Sequence, residues 1–299
     1  MNYLDFHTHS TWSDGLLSPH EMVDKARHCG IRVMSLTDHN CTMDLKDLRE
    51  RSPDITLVQG SEISCIYNDR KKERHELHVI ALGFDPQNHD LKKALSRNRS
   101  ERREYVEAIL ERLRENHIHI GSYEDLVRDF PESRQIGRSH IGIKMQRMGY
   151  VHTADEAFDE YIGDFGYRRA FVEGPKDYMS LEECVDVIRK AHGVAVLCHL
   201  FYYRLDDEAN KALVKYFKYL TEGHGAMETS YGRYTETRRE YLRSLATEND
   251  LLFSCGSDFH GKDYTETMDY RFSCTDFRPL LEKLGVMVPA DDLEQPVQR

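Results

Sequence analysis

The chain has 299 residues, with 41 Lys and Arg against 52 Asp and Glu, a net charge of −11. Hydrophobic residues at 39% suffice for a core and exclude a disordered chain. No apolar run approaches the roughly 18 residues of a membrane span, and the acidic balance argues against holding long duplex nucleic acid, which needs a basic surface. Seven cysteines, odd in number and without CxxC pairing, read as reduced thiols. Asp5, His7 and His9 stand where a signal peptide would be apolar, so the expected setting is cytoplasmic.

Residues 3–6 form a short apolar run, predicted as a strand. Ser18-Pro19-His20-Glu21 is a capping box with Pro at the first helical position, and Gly30 closes that helix. Strands are predicted at 31–36, 55–59 and 77–83. Beyond Asp85-Pro86 the character changes to a long charged helix over 89–116, then short helices with turns at Gly121, Gly137 and Gly149. Thr153 with Glu156 and Ser180 with Glu183 are further capping boxes. Strands follow at 193–198, 226–228 and 251–254, with helices at 211–221 and 235–249. Seven strands alternating with helices predict an α/β fold, with a parallel sheet or a β/α barrel. The expected division is a catalytic barrel from 1–85 and 173–288, a helical insertion over 86–172 and a frayed tail at 289–299.

Chemistry-bearing residues collect where strands end. His7-Thr8-His9 and Asp14 follow the first strand, Asp38-His39 the second, and Gly60-Ser61-Glu62 the third. His78 lies in the fourth, His199 follows the fifth, and Asp258 and His260 follow the last. In a β/α barrel such ends share one rim, where active sites are built. Imidazole and carboxylate bind borderline divalent cations such as zinc, manganese and ferrous iron. His7 and His9, two apart in an extended segment, face the same way. Glu62 has two oxygens with which to bridge two ions.

The ordered set HTH (7–9), Asp14, TDH (37–39), GSE (60–62), LHVIALG (77–83), CH (198–199) and GSDFHG (256–261) resembles the PHP (polymerase and histidinol phosphatase) phosphoesterases over most of the chain. Gly137-Arg138-Ser139-His140 is similar to the GRxH element of the TrpH-like branch. Members of that branch cleave nucleoside 3′,5′-bisphosphates and short RNA ends, and relatives open cyclic sugar phosphates. The resemblance implies a distorted TIM-like barrel of about seven strands with two or three divalent ions, manganese, iron or zinc. It implies His7, His9, Glu62 and Asp258 as ligands of a first ion, and Glu62, His78 and His199 of a second. Asp14, His39 and His260 fall at a third, where many members have His in place of Asp14. Leu200 stands where the family usually has Pro.

The resemblance also makes Arg138 and His140 a phosphate-binding pair. The residues alone equally suit an Arg paired to surface acid and a His capping a helix. Arg168, Arg169 and Arg204 read as solvated charges and His75 as a non-ligand, because it sits three residues from His78. Trp12 and Tyr231 suit either base stacking or the wall of the site. Cys184, Cys198 and Cys255 read as core. The expected reaction is hydrolysis of a small phosphate ester by in-line attack on phosphorus. Arg138 would neutralise phosphoryl charge, Asp258 orient the nucleophile, and His199 or a water protonate the leaving oxygen. An amidohydrolase-type metal hydrolase and a catalytically silent metal-binding domain are the alternatives. The expected partner is a small phosphorylated substrate, a nucleotide or a short oligonucleotide end, with no long duplex and no membrane.

Overall fold

The structure, a computed structural model, describes residues 3–164, 166–261 and 266–287. The predicted tail at 289–299 lies outside the described residues. In chain order come β1 (Tyr3–Asp5), α1 (Pro19–His28), β2 (Ile31–Leu36), α2 (Lys46–Arg51), β3 (Thr56–Asn68) and β4 (Arg74–Leu82). The middle of the chain holds α3 (His89–Glu115), α4 (Tyr123–Asp129), α5 (Arg138–Arg147) and α6 (Ala154–Ala157), which runs into a π-helical turn at Phe158–Ile162. Then follow α7 (Leu181–Lys190), β5 (Val194–Leu197), α8 (Asp207–Leu220), β6 (Ala226–Tyr231), α9 (Glu236–Glu248), β7 (Leu252–Gly256) and α10 (Arg278–Lys283). The Ser18 capping box is present, with Ser18 and Glu21 bonding each other's backbone, and α1 buries Met22, Val23 and Ala26.

All seven strands form one sheet in sequence order. The sheet nearly closes into a barrel. Phe6 N–H donates to the Cys255 carbonyl at 3.2 Å, Asp258 N–H to that of His7 at 2.9 Å, and His9 N–H to that of Phe259 at 2.9 Å. Every strand sends at least one residue (Leu4, Val33, Val58, Ile80, Val196, Ala226 and Cys255 among them) into a common interior cluster, joined by Phe277, Leu280 and Leu281 from the C-terminal segment.

The expectation of a parallel sheet holds for β1–β2–β3 and for β5–β6–β7. β4 runs antiparallel to both of its neighbours. Residues 60–62 were expected beyond a strand ending at 59; instead β3 continues to Asn68 and pairs with β4 from Gly60–Leu82 to Asn68–Arg74. Residues 63–67 (Ile-Ser-Cys-Ile-Tyr) are themselves strand formers. Asp69 closes the hairpin by accepting the N–H groups of Lys71 and Glu73 at 2.8 Å each. Glu62 therefore sits mid-strand, its backbone held by β2's extension on one side and β4 on the other. That is a rigid mount.

α3 belongs to two cores. Leu91, Ala94 and Leu95 pack on the barrel, while Val106, Ile109 and Leu113 pack with Ile141, Met145 and Ile162 in a separate cluster of the middle segment. Between them, the Nδ2 amide of buried Asn98 donates to Ser64 O at 2.6 Å and Asn40 Oδ1 at 2.9 Å, and Asn98 Oδ1 accepts from Met179 N–H at 3.1 Å. A buried amide so satisfied fixes the helix against the barrel mouth.

Candidate metal centre

Glu62 is buried and both its oxygens face imidazoles. Oε2 lies 3.3 Å from His7 Nε2, 3.1 Å from His9 Nε2 and 3.2 Å from His39 Nδ1. Oε1 lies 2.8 Å from His78 Nδ1 and 2.9 Å from His199 Nε2. Asp258 Oδ1 lies 3.4 Å from His7 Nε2 and 3.3 Å from His9 Nε2. Asp14 Oδ1 lies 3.4 Å from His260 Nε2 and 3.7 Å from His39 Nε2. All nine residues expected as ligands thus meet at one mouth. They group as His7, His9 and Asp258; His7, Glu62 and His199; His39, Glu62 and His78; and His9, Asp14, His39 and His260. His39, expected with Asp14 and His260, faces Glu62 as well.

These residues fit divalent cations on three counts. His7 Nε2, His9 Nε2, His39 Nδ1, His199 Nδ1 and Glu62 Oε2 are buried with no hydrogen-bond partner among the described residues. Buried polar atoms left so are costly unless something else meets them. His7 Nε2 and His9 Nε2 each lie 3.1–3.4 Å from both Glu62 Oε2 and Asp258 Oδ1, spacings at which nitrogen and oxygen ligands share a small cation. Finally, three carboxylates (Asp14, Glu62, Asp258) share the mouth with imidazoles that are ordinarily neutral, and such buried negative charge calls for cations. The titration shifts express the same imbalance. Burial opposes charge on His9 and His78, yet nearby carboxylates raise them to about 10 and about 9. Burial likewise opposes the charge on Glu62 and Asp258, and the surrounding imidazoles outweigh it, holding both well below the carboxylate range. Burial wins at His39, lowered to about 3.

Residues outside the candidate ligand set orient its side chains. Buried Glu228 faces His7 Nδ1 with Oε1 at 3.0 Å and accepts His199 N–H with Oε2 at 2.7 Å. It thereby turns the lone pair of His7 Nε2 toward the centre. His260 Nδ1 donates to the Asp258 carbonyl at 2.9 Å, which leaves Nε2 as the acceptor nitrogen. Tyr231 Oη donates to Asp258 Oδ2 at 2.7 Å, and Ser139 Oγ to Asp14 Oδ2 at 2.8 Å. His199 (φ 30°) and Asp258 (φ 53°) both hold left-handed backbone, a strained state that persists where surroundings over-determine it. The bonds from His199 N–H to Glu228 and from Asp258 N–H to the His7 carbonyl do so here. Glu228 ends the predicted sixth strand, the one strand of the seven to which no role was expected. A carboxylate at a strand end was the available signal.

Over the centre lies a cleft of about 930 Å³ lined by Asp14, His39, Glu62, His78, His199, Asp258 and His260, with Arg138 facing them from α5. Arg138 donates from Nη1 to Asp164 Oδ2 at 2.9 Å. His140 does not line the cleft. It is buried, accepts Gly137 N–H on Nδ1 at 3.0 Å and meets the Phe130 ring edge-on. The first turn of α5 needs an acceptor for its free N–H and takes this ring. Tyr231 is buried in the wall of the cleft, with its hydroxyl on Asp258. Trp12 carries Arg134 against its ring at 5.1 Å, away from the cleft. Arg204 lines the cleft; Arg168 and Arg169 do not. His75 lies apart from the centre, 3.4 Å from Asp69. Cys184, Cys198 and Cys255 are fully buried.

An α/β barrel with this rim of imidazoles and carboxylates is the architecture of a metal-dependent phosphoesterase. A PHP domain model matches residues 5–231, and the chain belongs to that family. It is 31% identical over 263 residues to the 5′-3′ exoribonuclease Rnm of Salmonella typhimurium, covering 86% of this chain and 84% of that one. It is 28% identical over 302 residues to the 3′,5′-nucleoside bisphosphate phosphatase of Chromobacterium violaceum, covering 97% and 100%. A structure from Bifidobacterium adolescentis assigned as a metal-dependent phosphoesterase superposes with a TM-score of 0.79 at 25% identity, over 97% of this chain and 98% of the other.

Proposed function

We propose that this phosphoesterase hydrolyses nucleoside 3′,5′-bisphosphates and the ends of short RNA, with cyclic sugar phosphates as related substrates. The observation that carries the reading is the set of orphaned nitrogen and oxygen atoms at the centre, in a cleft that Arg138 also lines. When bound, two or three manganese, iron or zinc ions would supply a water of lowered pKa and neutralise phosphoryl charge. His7, His9, Glu62 and Asp258 would hold the first, Glu62, His78 and His199 the second, and Asp14, His39 and His260 the third. The protein's own groups do the rest. Arg138 has five N–H donors and Asp164 takes one, so the fork keeps donors for phosphoryl oxygens held in the cleft it lines. Asp258, with Oδ2 fixed by Tyr231, presents Oδ1 to orient the attacking oxygen. His199 is one source of a proton for the leaving alkoxide. Residues 86–172 form the helical cover and 1–85 with 173–288 the catalytic barrel.

Among the described residues no lysine lines the cleft, which disfavours an amidohydrolase that bridges its ions through a carboxylated lysine. No helix among the described residues is long and apolar enough to cross a membrane. The seven cysteines are unpaired, as thiols remain in the reducing cytoplasm. The test, after loading with manganese, iron or zinc, is release of phosphate or nucleotide from a nucleoside 3′,5′-bisphosphate, a 5′-phosphorylated trinucleotide, a ribose cyclic phosphate and long duplex DNA, and release of amine from a carboxamide. Turnover of the first two is expected. Turnover of the carboxamide alone, or of none, overturns the reading.

A further inference from the structure

The two walls of the cleft differ in charge. On the insertion side Asp155, Asp159 and Asp164 line it. The cations there are engaged, Arg138 with Asp164 at 2.9 Å and Arg102 with Glu76 at 3.0 Å. On the side built by β5, β6 and β7, Arg204, Arg233 and Arg238 line the cleft with Glu266. Arg233 pairs with Glu266 at 3.0 Å. Arg238 is exposed and pairs with no carboxylate among the described residues; its guanidinium instead lies 5.1 Å from the Phe201 ring and 5.7 Å from that of Tyr234.

An aromatic face completes this wall. His199 is followed by a 3₁₀ turn, Leu200–Tyr203, and Tyr202 N–H donates to the His199 carbonyl at 2.8 Å. The tether puts the Tyr202 ring 5.4 Å from the imidazole of a candidate metal ligand, while the side chain stays 72% exposed. A large aromatic at the lip of a catalytic centre, open to solvent, is what a planar ring of a ligand would cover. Stacking on aromatics and salt-dependent contact with arginines are how single strands are held without reading sequence.

Resting on the phosphoesterase reading above, we propose that the Tyr202–Arg204–Arg238 wall is the track for an RNA chain. The reacting phosphate lies at the centre, the first base stacks on Tyr202, and the following phosphates run out past Arg204 and Arg238. The carboxylates of the insertion wall repel a polyanion and leave this exit open. The ligand class is therefore a single-stranded oligoribonucleotide, favoured over a nucleoside bisphosphate, which ends before the arginines.

The experiment compares kcat/KM for a 5′-phosphorylated tetranucleotide with that for a nucleoside 3′,5′-bisphosphate on metal-loaded protein. The variants are Tyr202→Ala, Tyr202→Phe and Arg238→Glu, with thermal melts to show that each is folded. Wild type is expected to favour the tetranucleotide. Arg238→Glu should lower the tetranucleotide-to-bisphosphate ratio by about tenfold and flatten the salt dependence of the tetranucleotide rate. Tyr202→Ala should raise the KM for the tetranucleotide by about tenfold, the scale of a single base stacked on an aromatic ring, and Tyr202→Phe should restore it. A wild type that turns over the bisphosphate but gains nothing from added nucleotides overturns the track and leaves the phosphoesterase reading standing. A gain that survives both variants overturns it equally. A wild type inactive on both substrates removes the substrate reading and the track together.

Discussion

Five imidazoles address one carboxylate, and the split between its oxygens decides what a substitution does. Oε2 of Glu62 serves the His7, His9 and His39 side and Oε1 the His78 and His199 side. Glu62→Gln keeps the shape but replaces one acceptor oxygen with an amide that cannot bind a cation. Metal content by elemental analysis should fall, and kcat/KM should drop on the order of 10²–10³-fold or more. Unchanged metal content would refute the bridging role. Glu228 touches no substrate, yet His7 and the His199 backbone both rest on it. Glu228→Gln retains one of those bonds at best, and metal affinity should weaken by about 10–100-fold in a chelator competition.

At the level of elements, the end of β7 passes so close to His7 that only a glycine fits. A Cβ on Gly256 would lie 2.1 Å from His7 Cβ and 2.7 Å from Glu228 Oε1. Gly256→Ala should therefore cost about 1–3 kcal/mol of stability by overpacking, seen as a fall of several degrees in Tm, and should disturb metal binding because the atoms displaced are those that aim His7. Helix α5 makes the opposite case. Arg138 projects from its first residue into the cleft, supported by Asp164 and the rings of Tyr105 and Phe158 rather than by the barrel. Arg138→Ala should leave metal content unchanged and lower kcat/KM on a bisphosphate on the order of 10²-fold, the scale on which one charged donor stabilises a transition state. Equal rates for variant and wild type would make Arg138 a structural partner of Asp164 alone.

For the whole molecule, the centre is also a stability element. Strands β1, β2, β3, β4, β5 and β7 or the residues just after them bring Asp14, Glu62 and Asp258 into near contact with the same set of imidazoles. Without cations that negative charge is only partly compensated, so stripping with a chelator should lower Tm as well as abolish turnover, and divalent ion should restore both. The stabilisation follows from binding to the folded state alone and grows with the logarithm of free ion over Kd. Differential scanning calorimetry before and after chelation checks it, and a Tm independent of metal would show that the imidazoles compensate the carboxylates unaided.

Much of the molecule is written locally. The His7/His9 pair is legible because an extended chain repeats every two residues, and capping boxes, long apolar strands and the run of polar residues after them each depend on neighbours in sequence. Seven of the nine candidate ligands follow strand ends in such local patterns, and the PHP resemblance is what assigns the nine to ions. Glu62 and His78 lie inside β3 and antiparallel β4, where the rule that parallel strands end on one rim does not place them. What the chain alone leaves open depends on partners far away along it. Whether β3 stops at 59 or runs on to 68 is decided by its pairing with β4. The roles of Glu228 and Tyr231 arise only where β6 meets residues near 7, 199 and 258. Whether Arg138 and His140 face phosphate or the protein is not legible in the GRSH segment, since Asp164, Phe130 and the first turn of α5 decide it, and these bring Arg138 into the cleft and fold His140 away. Local sequence determines which groups a segment carries and the period with which they point; which of them share a cavity is set by burial and by hydrogen bonds closed across hundreds of residues, and only the folded barrel supplies those.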